Sequence, residues 1–394
     1  MHLSVRLPKV EPDSIQAPVT CPFWVGKRKQ RPCSGQHFKL HQVACDKALR
    51  DLRHARVQAQ RYRCLSCQRT FRVYPRGVSA AQQSSNLKAL SVLLYVLGLS
   101  YQGVSDLLDA LGQAVSKSTA YNNVQAAGAH AIELRGQWLQ QHGASVKVLG
   151  IDCTHVKRLG QATILAVASA ILTGEALSIE LLADESAETL KHWAQTLAAN
   201  LQAEVLVTDD ADAMKTVADA LGLDQQLCRA HVNRNLHDLI ASLGTKALEH
   251  PDRVPSGTEL SVSQLLDDLQ QVEELIKGLP HDGQQQLDLL ASRYQCAPPP
   301  QPGHKASMWY RLRLLTLDWS ENWSRLTRFQ SWRGPASEKL DGTNNVTERI
   351  IGQYIKERYR SMRGYKRKAS ILNVSGLTAW ISMQPAGYDL GEVV

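Results

Sequence analysis

The order of apolar runs between residues 145 and 235 restricts the fold more than any other feature. SVKVLGIDCTHV, QATILAVASAIL and GEALSIELLAD read as three consecutive strands divided by short turns, because each run is rich in β-branched and small apolar residues and is bounded by turn formers. A helix over Ser186–Leu201, a fourth strand in EVLVTDD and a further helix from Ala211 follow. This β-β-β-α-β-α order points to an α+β core. Asp152 closes the first run and Asp209 the fourth, with Asp210 and Asp212 just beyond. An Asp after a strand often caps the next helix, a role open to Asp210 or Asp212. Two carboxylates at equivalent strand ends are also what a hard cation such as Mg²⁺ needs for phosphoryl transfer.

Charge is distributed unevenly along the 394 residues, a length that predicts two to four domains. Residues 1–76 carry 16 Lys and Arg against 4 acidic groups, and residues 349–368 carry 8 against 1, while the stretch 77–348 is acidic by 9 charges. Basic blocks flanking an acidic middle predict a polyanion partner, with nucleic acid foremost. The longest apolar run, Ile164–Leu172, is too short to cross a bilayer, and MHLSVRLPKVEPDS lacks the apolar core of a secretion signal. The expectation is a protein that binds no membrane and works in the cytoplasm, associated with the nucleoid. In a reducing compartment the eight cysteines read as metal ligands, core residues or thiols rather than disulfides.

Cys64 and Cys67 form a C-x2-C knuckle, the spacing that turns two thiolates toward one tetrahedral Zn²⁺. Cys21 and Cys33 are the expected partners, with His37, His41 and Cys45 as alternatives for one ligand. Sixteen basic residues around this set predict a phosphate-binding zinc ribbon over 1–78. Next, SSNLKALSVLLYVLGLS, YQGVSDLLDALG and VSKSTAYNNVQAAGAH predict three helices, a helix-turn-helix within 79–140. In the third, Ala120, Val124 and Ala127 share an inward face, and Ser118, Thr119, Asn122 and Gln125 share the face expected to read bases.

Toward the end the chain reads DGTNNVTERIIGQYIKERYRSMRGYKRK. On a regular α-helix Glu348, Ile351, Gly352, Ile355 and Tyr359 share one face, and Arg349, Gln353, Lys356 and Arg360 form the adjacent stripe. Glu348 then lies at the margin of the buried face, where a carboxylate with small Gly352 one turn on can approach the sheet. The basic stripe beside it would contact DNA backbone.

Taken together, VLVTDDADAMK, LCRAHVNRNL with Cys228-x2-His231, and TNNVTERIIGQYIKERYRSMRG resemble the DDE transposases of bacterial insertion sequences, in particular the Mutator-like branch. The resemblance implies a zinc ribbon and helix-turn-helix, then a ribonuclease-H-like mixed-sheet catalytic core whose first and fourth strands lie side by side, with an all-helical insertion. It implies core segments at 141–240 and 341–394 around an insertion at 241–340. By the same resemblance Asp152, Asp209 and Glu348 are the catalytic carboxylates, binding two Mg²⁺ (or Mn²⁺) ions, with structural Zn²⁺ in the ribbon. Asp210 stands where Gly usually follows the second Asp, and Cys228 and His231 border the site without being read as metal ligands. The implied activity is divalent-metal-dependent cleavage and strand transfer at terminal inverted repeats. The partners are transposon-end and target DNA, and the implied state is a homodimer or higher homo-oligomer. A host-adopted DNA-binding regulator with vestigial carboxylates, and a structure-specific nuclease of the same fold, are the competing readings. In the insertion Trp309, Trp319, Trp323, Phe329 and Trp332 space like a helical core, with base stacking as the alternative.

Overall fold

The structure is a computed structural model that describes residues 4–26, 31–249, 261–362 and 364–394. Lys27, Arg28 and Lys29 of the basic amino-terminal block lie outside the described residues. Two-residue strands β1 (Val5–Arg6), β2 (Trp24–Val25) and β3 (Arg31–Pro32) precede an antiparallel sheet of β4 (Phe38–Ala48), β5 (Arg56–Cys64) and β6 (Thr70–Val73). Helices α1 (Ser85–Val96), α2 (Tyr101–Ala110) and α3 (Lys117–His142) follow, and then β7 (Val148–Arg158), β8 (Gln161–Ala170), β9 (Ala176–Leu182), α4 (Ala187–Ala198), β10 (Val205–Thr208), α5 (Asp212–Leu221) and β11 (Asp224–Leu227). Helices α6 (Arg229–Glu249), α7 (Val262–Gly278), α8 (Gly283–Arg293), α9 (Met308–Glu321) and α10 (Trp323–Ser331) come next. The chain continues through α11 (Asn345–Arg349), a π-helical stretch (Ile350–Lys356), α12 (Glu357–Met362), α13 (Lys368–Met383) and β12 (Tyr388–Asp389).

These elements divide into two units, one of Met1–Gln137, Val156–Ala162 and Gly352–Val394, the other of Trp138–His155 and Thr163–Ile351. The second contains the five-stranded mixed sheet, in the order β11-β10-β7-β8-β9. The first and fourth strands of the sequence pattern, β7 and β10, are parallel neighbours, with Val205 opposite Val148 and Val207 opposite Gly150. That is the order implied for a ribonuclease-H-like core. The first four residues of β7, Val148–Ile151, are buried on both faces, and their side chains alternate between two cores. Leu149 and Ile151 join Leu190, Trp193 and Met214 of α4 and α5, while Val148 joins Val205, Val207, Trp332 and Leu340.

The fifth strand, β11, is absent from the sequence reading because DQQL has neither alternation nor β-branched residues. Its two glutamines are nevertheless buried, and their amides are paired: Gln225 Nε2 donates to Thr208 Oγ1 at 2.8 Å, and Gln226 Oε1 accepts from Phe329 N at 2.8 Å. Satisfied amides remove the cost that would otherwise keep such a strand out of a core. Helices α6 to α10 enclose a core of their own in which Trp309, Trp319 and Trp323 are buried, and Trp332 is buried against the sheet. These four tryptophans are core residues, and Phe329 is half-buried with the Arg229 guanidinium 4.7 Å from its ring centroid.

In the first unit the three helices stand where the sequence predicts three, capped by Ser84, Ser100 and Ser116. Helix α3 runs on to His142, well beyond the segment expected to end near His130. Its inward face is as predicted, with Ala120, Val124, Ala127 and Ala131 fully buried. Helix α3 packs against α13 on both sides of His130: a Cβ at Gly128 would collide with the backbone carbonyl of Asn373, and one at Gly376 would come to 2.9 Å from Ile132 Cγ1. Buried Asp51 ties the small sheet to α1 by accepting from Ser84 Oγ at 2.6 Å.

Helix α3 therefore contains two glycines under opposite constraints. A Cβ at Gly136 meets nothing within 4 Å, so Gly136→Ala should stabilise the protein by ~0.5–1 kcal/mol through helix propensity alone. Gly128→Ala should cost ~1–3 kcal/mol, because a methyl group there must displace α13 backbone. Urea unfolding of both variants checks the pair. Effects of opposite sign at two glycines of one helix exclude a common propensity explanation.

Candidate active site

The parallel register of β7 and β10 sets the first two carboxylates. Val207 pairs with Gly150, so two residues further on Asp209 and Asp152 stand at the same level of adjacent strands. Asp152 lies within β7 rather than closing it, as the strand continues to Arg158; what ends near Asp152 is the pairing with β10. By alternation Val148, Gly150 and Asp152 face the same side, the side on which α11 lies. The Cys153 backbone N–H donates to Asp152 Oδ1 at 2.7 Å, and the Ala211 N–H donates to Asp209 Oδ1 at 3.2 Å.

Glu348 comes from α11, and the sheet admits that helix because Gly150 has no side chain. A Cβ at Gly150 would overlap Thr347 Oγ1 and lie 2.7 Å from Asn344 Oδ1. Asn344 Nδ2 donates to the Ile151 carbonyl at 2.9 Å, and Thr347 Oγ1 meets Ser169 Oγ at 2.7 Å. This corrects the role expected of Gly352, where an added Cβ would meet nothing within 4 Å. The glycine that permits close approach is on the strand. Gly150, Asn344 and Thr347 escaped the sequence reading, although VLGID and TNNVTE print the small and amide-bearing residues that the contact uses.

The third carboxylate has company. Glu348 Oε1 lies 3.5 Å from His231 Nδ1 and 3.9 Å from Cys228 Sγ. Cys228 is buried, and its sulfur accepts from the Asn344 N–H at 3.3 Å. Burial, foremost, and the nearby charges of Asp209 and Glu348 push Asp152 up to about 6, against the opposing effects of the Cys153 N–H and His231. Like charge thus accumulates where the sequence reading placed a divalent-cation site.

Asp210 is held elsewhere: Lys215 Nζ lies 2.9 Å from its Oδ1 and 3.6 Å from Asp212 Oδ1. Neither Asp210 nor Asp212 is the cap of α5, contrary to expectation; the N-cap is Ala211, which has no side-chain hydrogen bond to offer.

A separate cluster unites Cys21, Cys33, Cys64 and Cys67, whose sulfurs all lie within 4.8 Å of one another. Cys21 and Cys67 sulfurs are 3.6 Å apart and those of Cys33 and Cys64 3.9 Å, around the ~3.8 Å edge of a tetrahedron with ~2.3 Å zinc–sulfur bonds and far beyond disulfide length. Such a cluster could hold zinc. His37, His41 and Cys45 are not part of it, which closes the alternatives left by sequence. Gly35 is required beside it, because a Cβ there would overlap Cys64 Sγ. Backbone N–H groups of the knuckle, first that of Cys67, draw Cys64 down to about 7.

The expected DNA-contacting residues fare differently. Ser118 and Asn122 are exposed on α3, and Thr119 Oγ1 is paired with Ser116 Oγ at 2.8 Å. Gln125 is half-buried and turned inward, its amide shared between Tyr101 at 3.4 Å and Asn373 at 3.1 Å, which corrects its place on the outward face. The regular helix expected after Glu348 is broken, since residues 350–356 are π-helical and shift the register. Arg349 belongs to one unit and Lys356 and Arg360 to the other, with Arg349 and Arg360 exposed and Lys356 half-buried. Arg358 of the same basic block is buried: its guanidinium lies 3.9 Å from the Tyr95 ring centroid and donates to Leu99 O at 2.8 Å.

Residues 81–362 match a family described as Transposase IS66 family. The match covers the first two segments behind the family resemblance and the third as far as Met362, and it corrects the Mutator-like assignment, because the acidic core and the C-x2-H spacing do not by themselves separate one branch from another. No curated protein matches the chain. Among solved structures, the catalytic core domain of HTLV-2 integrase in complex with magnesium (dimeric form) is 16% identical, with 35% of this chain and 90% of that chain covered and a TM-score of 0.19. The catalytic core domain of BIV integrase is 15% identical, with 32% and 98% covered and a TM-score of 0.19. Among the described residues no helix is long and apolar enough to cross a membrane.

The raised Asp152 carboxyl has a direct consequence for stability. A carboxyl raised in the folded state costs stability increasingly as pH rises from the unfolded value near 3.8 to the folded value of about 6, in full above that, and not at all below 3.8. Metal-free Asp152→Asn should therefore be more stable than the parent at pH 8, by up to ~3 kcal/mol for a two-unit shift. The advantage should vanish by pH 4. Denaturant titrations at the two pH values, in chelator, measure it.

Proposed function

The chain belongs to the IS66 family of transposases and is a DDE transposase, and from that premise we propose that Asp152, Asp209 and Glu348 are its catalytic carboxylates. The observation that supports this reading most directly is the register that sets Asp152 and Asp209 at one level of adjacent parallel strands, where burial first, and then the charges of Asp209 and Glu348, raise the Asp152 carboxyl. Carboxylates that repel one another where the pairing of β7 and β10 ends fit a pair of hard divalent cations, Mg²⁺ or Mn²⁺, better than any neutral ligand. When bound, such ions supply charge neutralisation and nucleophile activation for in-line displacement at phosphorus. Asp152 and Asp209 would offer oxygens from adjacent strands at one level, and Glu348 would approach from α11 over Gly150. The Asn344 and Thr347 hydrogen bonds would hold that approach fixed.

In this reading the first unit binds transposon ends through inverted repeats. The four-cysteine cluster holds structural Zn²⁺, exposed Ser118 and Asn122 face the DNA, and Arg349, Lys356 and Arg360 contact phosphates. The same carboxylates serve cleavage and strand transfer, because both are displacements at phosphorus. Two transposon ends need two copies of the site, so the acting form is a homodimer or a higher homo-oligomer in the nucleoid.

Asp152→Asn, Asp209→Asn and Glu348→Gln should each abolish Mg²⁺-dependent cleavage and joining of end DNA while end binding stays within a few fold of the parent. Asp210→Asn serves as the control and should retain activity, because Asp210 is occupied by Lys215. A Glu348→Gln protein that still cut and joined DNA would falsify the catalytic assignment of α11. Cleavage without any joining by the parent would favour the nuclease reading instead.

Removal of zinc separates binding from chemistry. Cys64→Ser should release one equivalent of Zn²⁺ and lose end binding, since a cluster of this size depends on its metal for folding. Elemental analysis together with DNA-binding titrations checks this. Parent protein free of zinc would refute it.

A further inference from the structure

Cys228, His231 and Glu348 form a second group whose donor atoms all lie within 4.8 Å of one another, and only Glu348 has a part in the reading given above. The spacing explains the pairing, because Cys228 directly precedes α6 and His231 stands three residues on, so both donors face the same side of its first turn. Glu348 arrives from α11 to complete the set, with Oε1 at 3.5 Å from His231 Nδ1 and 3.9 Å from Cys228 Sγ. His231 is half-buried, and its ring lies between the Cys228 thiol and the Glu348 carboxylate, which together hold its imidazole above its ordinary value. The sulfur is fully buried, held by the Asn344 N–H and the start of α6.

We infer that Cys228, His231 and Glu348 form a binding site for a borderline-soft divalent cation such as Zn²⁺, separate from the four-cysteine cluster. Tetrahedral zinc with bonds of ~2.3 Å to sulfur and ~2.0 Å to nitrogen or oxygen sets sulfur ~3.5 Å from its neighbours and nitrogen ~3.3 Å from oxygen, so the two distances from Glu348, 3.9 Å to Cys228 and 3.5 Å to His231, need adjustments of only a few tenths of an ångström. One thiolate, one imidazole and one carboxylate match the preferences of zinc, whereas Mg²⁺ avoids sulfur and prefers oxygen. Three protein ligands leave a fourth position for water. The consequence rests on the proposed catalytic role of Glu348: a soft cation here claims the Glu348 oxygen that the hard cation needs. Zinc then acts as an inhibitor that Mg²⁺ must displace.

Equilibrium dialysis of the full chain against Zn²⁺, with elemental analysis, should find one equivalent beyond that of the four-cysteine cluster. Cys228→Ser, which keeps an acceptor for the Asn344 N–H, and His231→Asn should each lose that equivalent and retain the other. Cadmium-113 NMR of the parent should give an all-thiolate resonance and a second, mixed-donor resonance, the latter missing in Cys228→Ser. In cleavage assays at fixed Mg²⁺, Cys228→Ser should need at least tenfold more Zn²⁺ for half inhibition of its own activity. Unchanged stoichiometry and spectra in both variants would overturn the site. Because the binding measurements need no turnover, they stand or fall independently of the carboxylate assignment, which Glu348→Gln tests by cleavage. Binding as expected with no change in zinc sensitivity would retain the site and overturn the inhibition.

Discussion

The closeness of α11 to β7 at Gly150 is the contact on which the candidate site depends. Any side chain at that position would meet Thr347, Asn344 and Ile171 at once. With the strand bare there, Asn344 can reach the Ile151 carbonyl and Thr347 can reach Ser169, two polar links made across the interior of one unit. These links matter because α11 passes directly into the π-helical stretch, where the regular α-helical hydrogen-bond ladder is interrupted. Glu348 is placed by the strand beneath its helix and by the loop before it, and less by the helix it belongs to.

The same logic explains why the neighbouring acids behave differently. Asp209 and Asp210 are adjacent in sequence, yet alternation sends one toward the level of Asp152 and the other to Lys215. A lysine partner keeps the second charge solvated by protein, and the first is left among other carboxylates. One residue of register decides which acid is available for a cation.

Much of this was legible in sequence because strand periodicity survives burial. The runs holding Asp152 and Asp209, the three serine-capped helices and the apolar face of α3 all follow local patterns. What could not be read depended on partners distant along the chain. β11 looks polar until Arg325, Leu326 and Phe329 supply partners for its glutamines. Gln125 looks like an outward residue until Asn373 arrives on α13. The π-helical stretch at 350–356 has no periodic signature, since a wider turn leaves the composition of a helix unchanged. The choice among Cys21, Cys33, His37, His41 and Cys45 was likewise a matter of where β4 and β5 carry their residues, and the spacing of thiols could not decide it.

The unit that carries the cysteine cluster and the three serine-capped helices is discontinuous: Gly128 of α3 is covered by Asn373, and β1 pairs with β12 in register from Val5 to Tyr388. During synthesis, the segment 138–351 leaves the ribosome before the residues that complete this unit. A polypeptide that stopped before residue 352 would therefore contain the whole cysteine cluster and all of α1 to α3, yet would present the α13-facing side of α3 to water. Such a fragment would be a poor free-standing competitor for the intact protein, prone to self-association through its uncovered helix. Completion of this unit thereby waits for the segment Gly352–Val394.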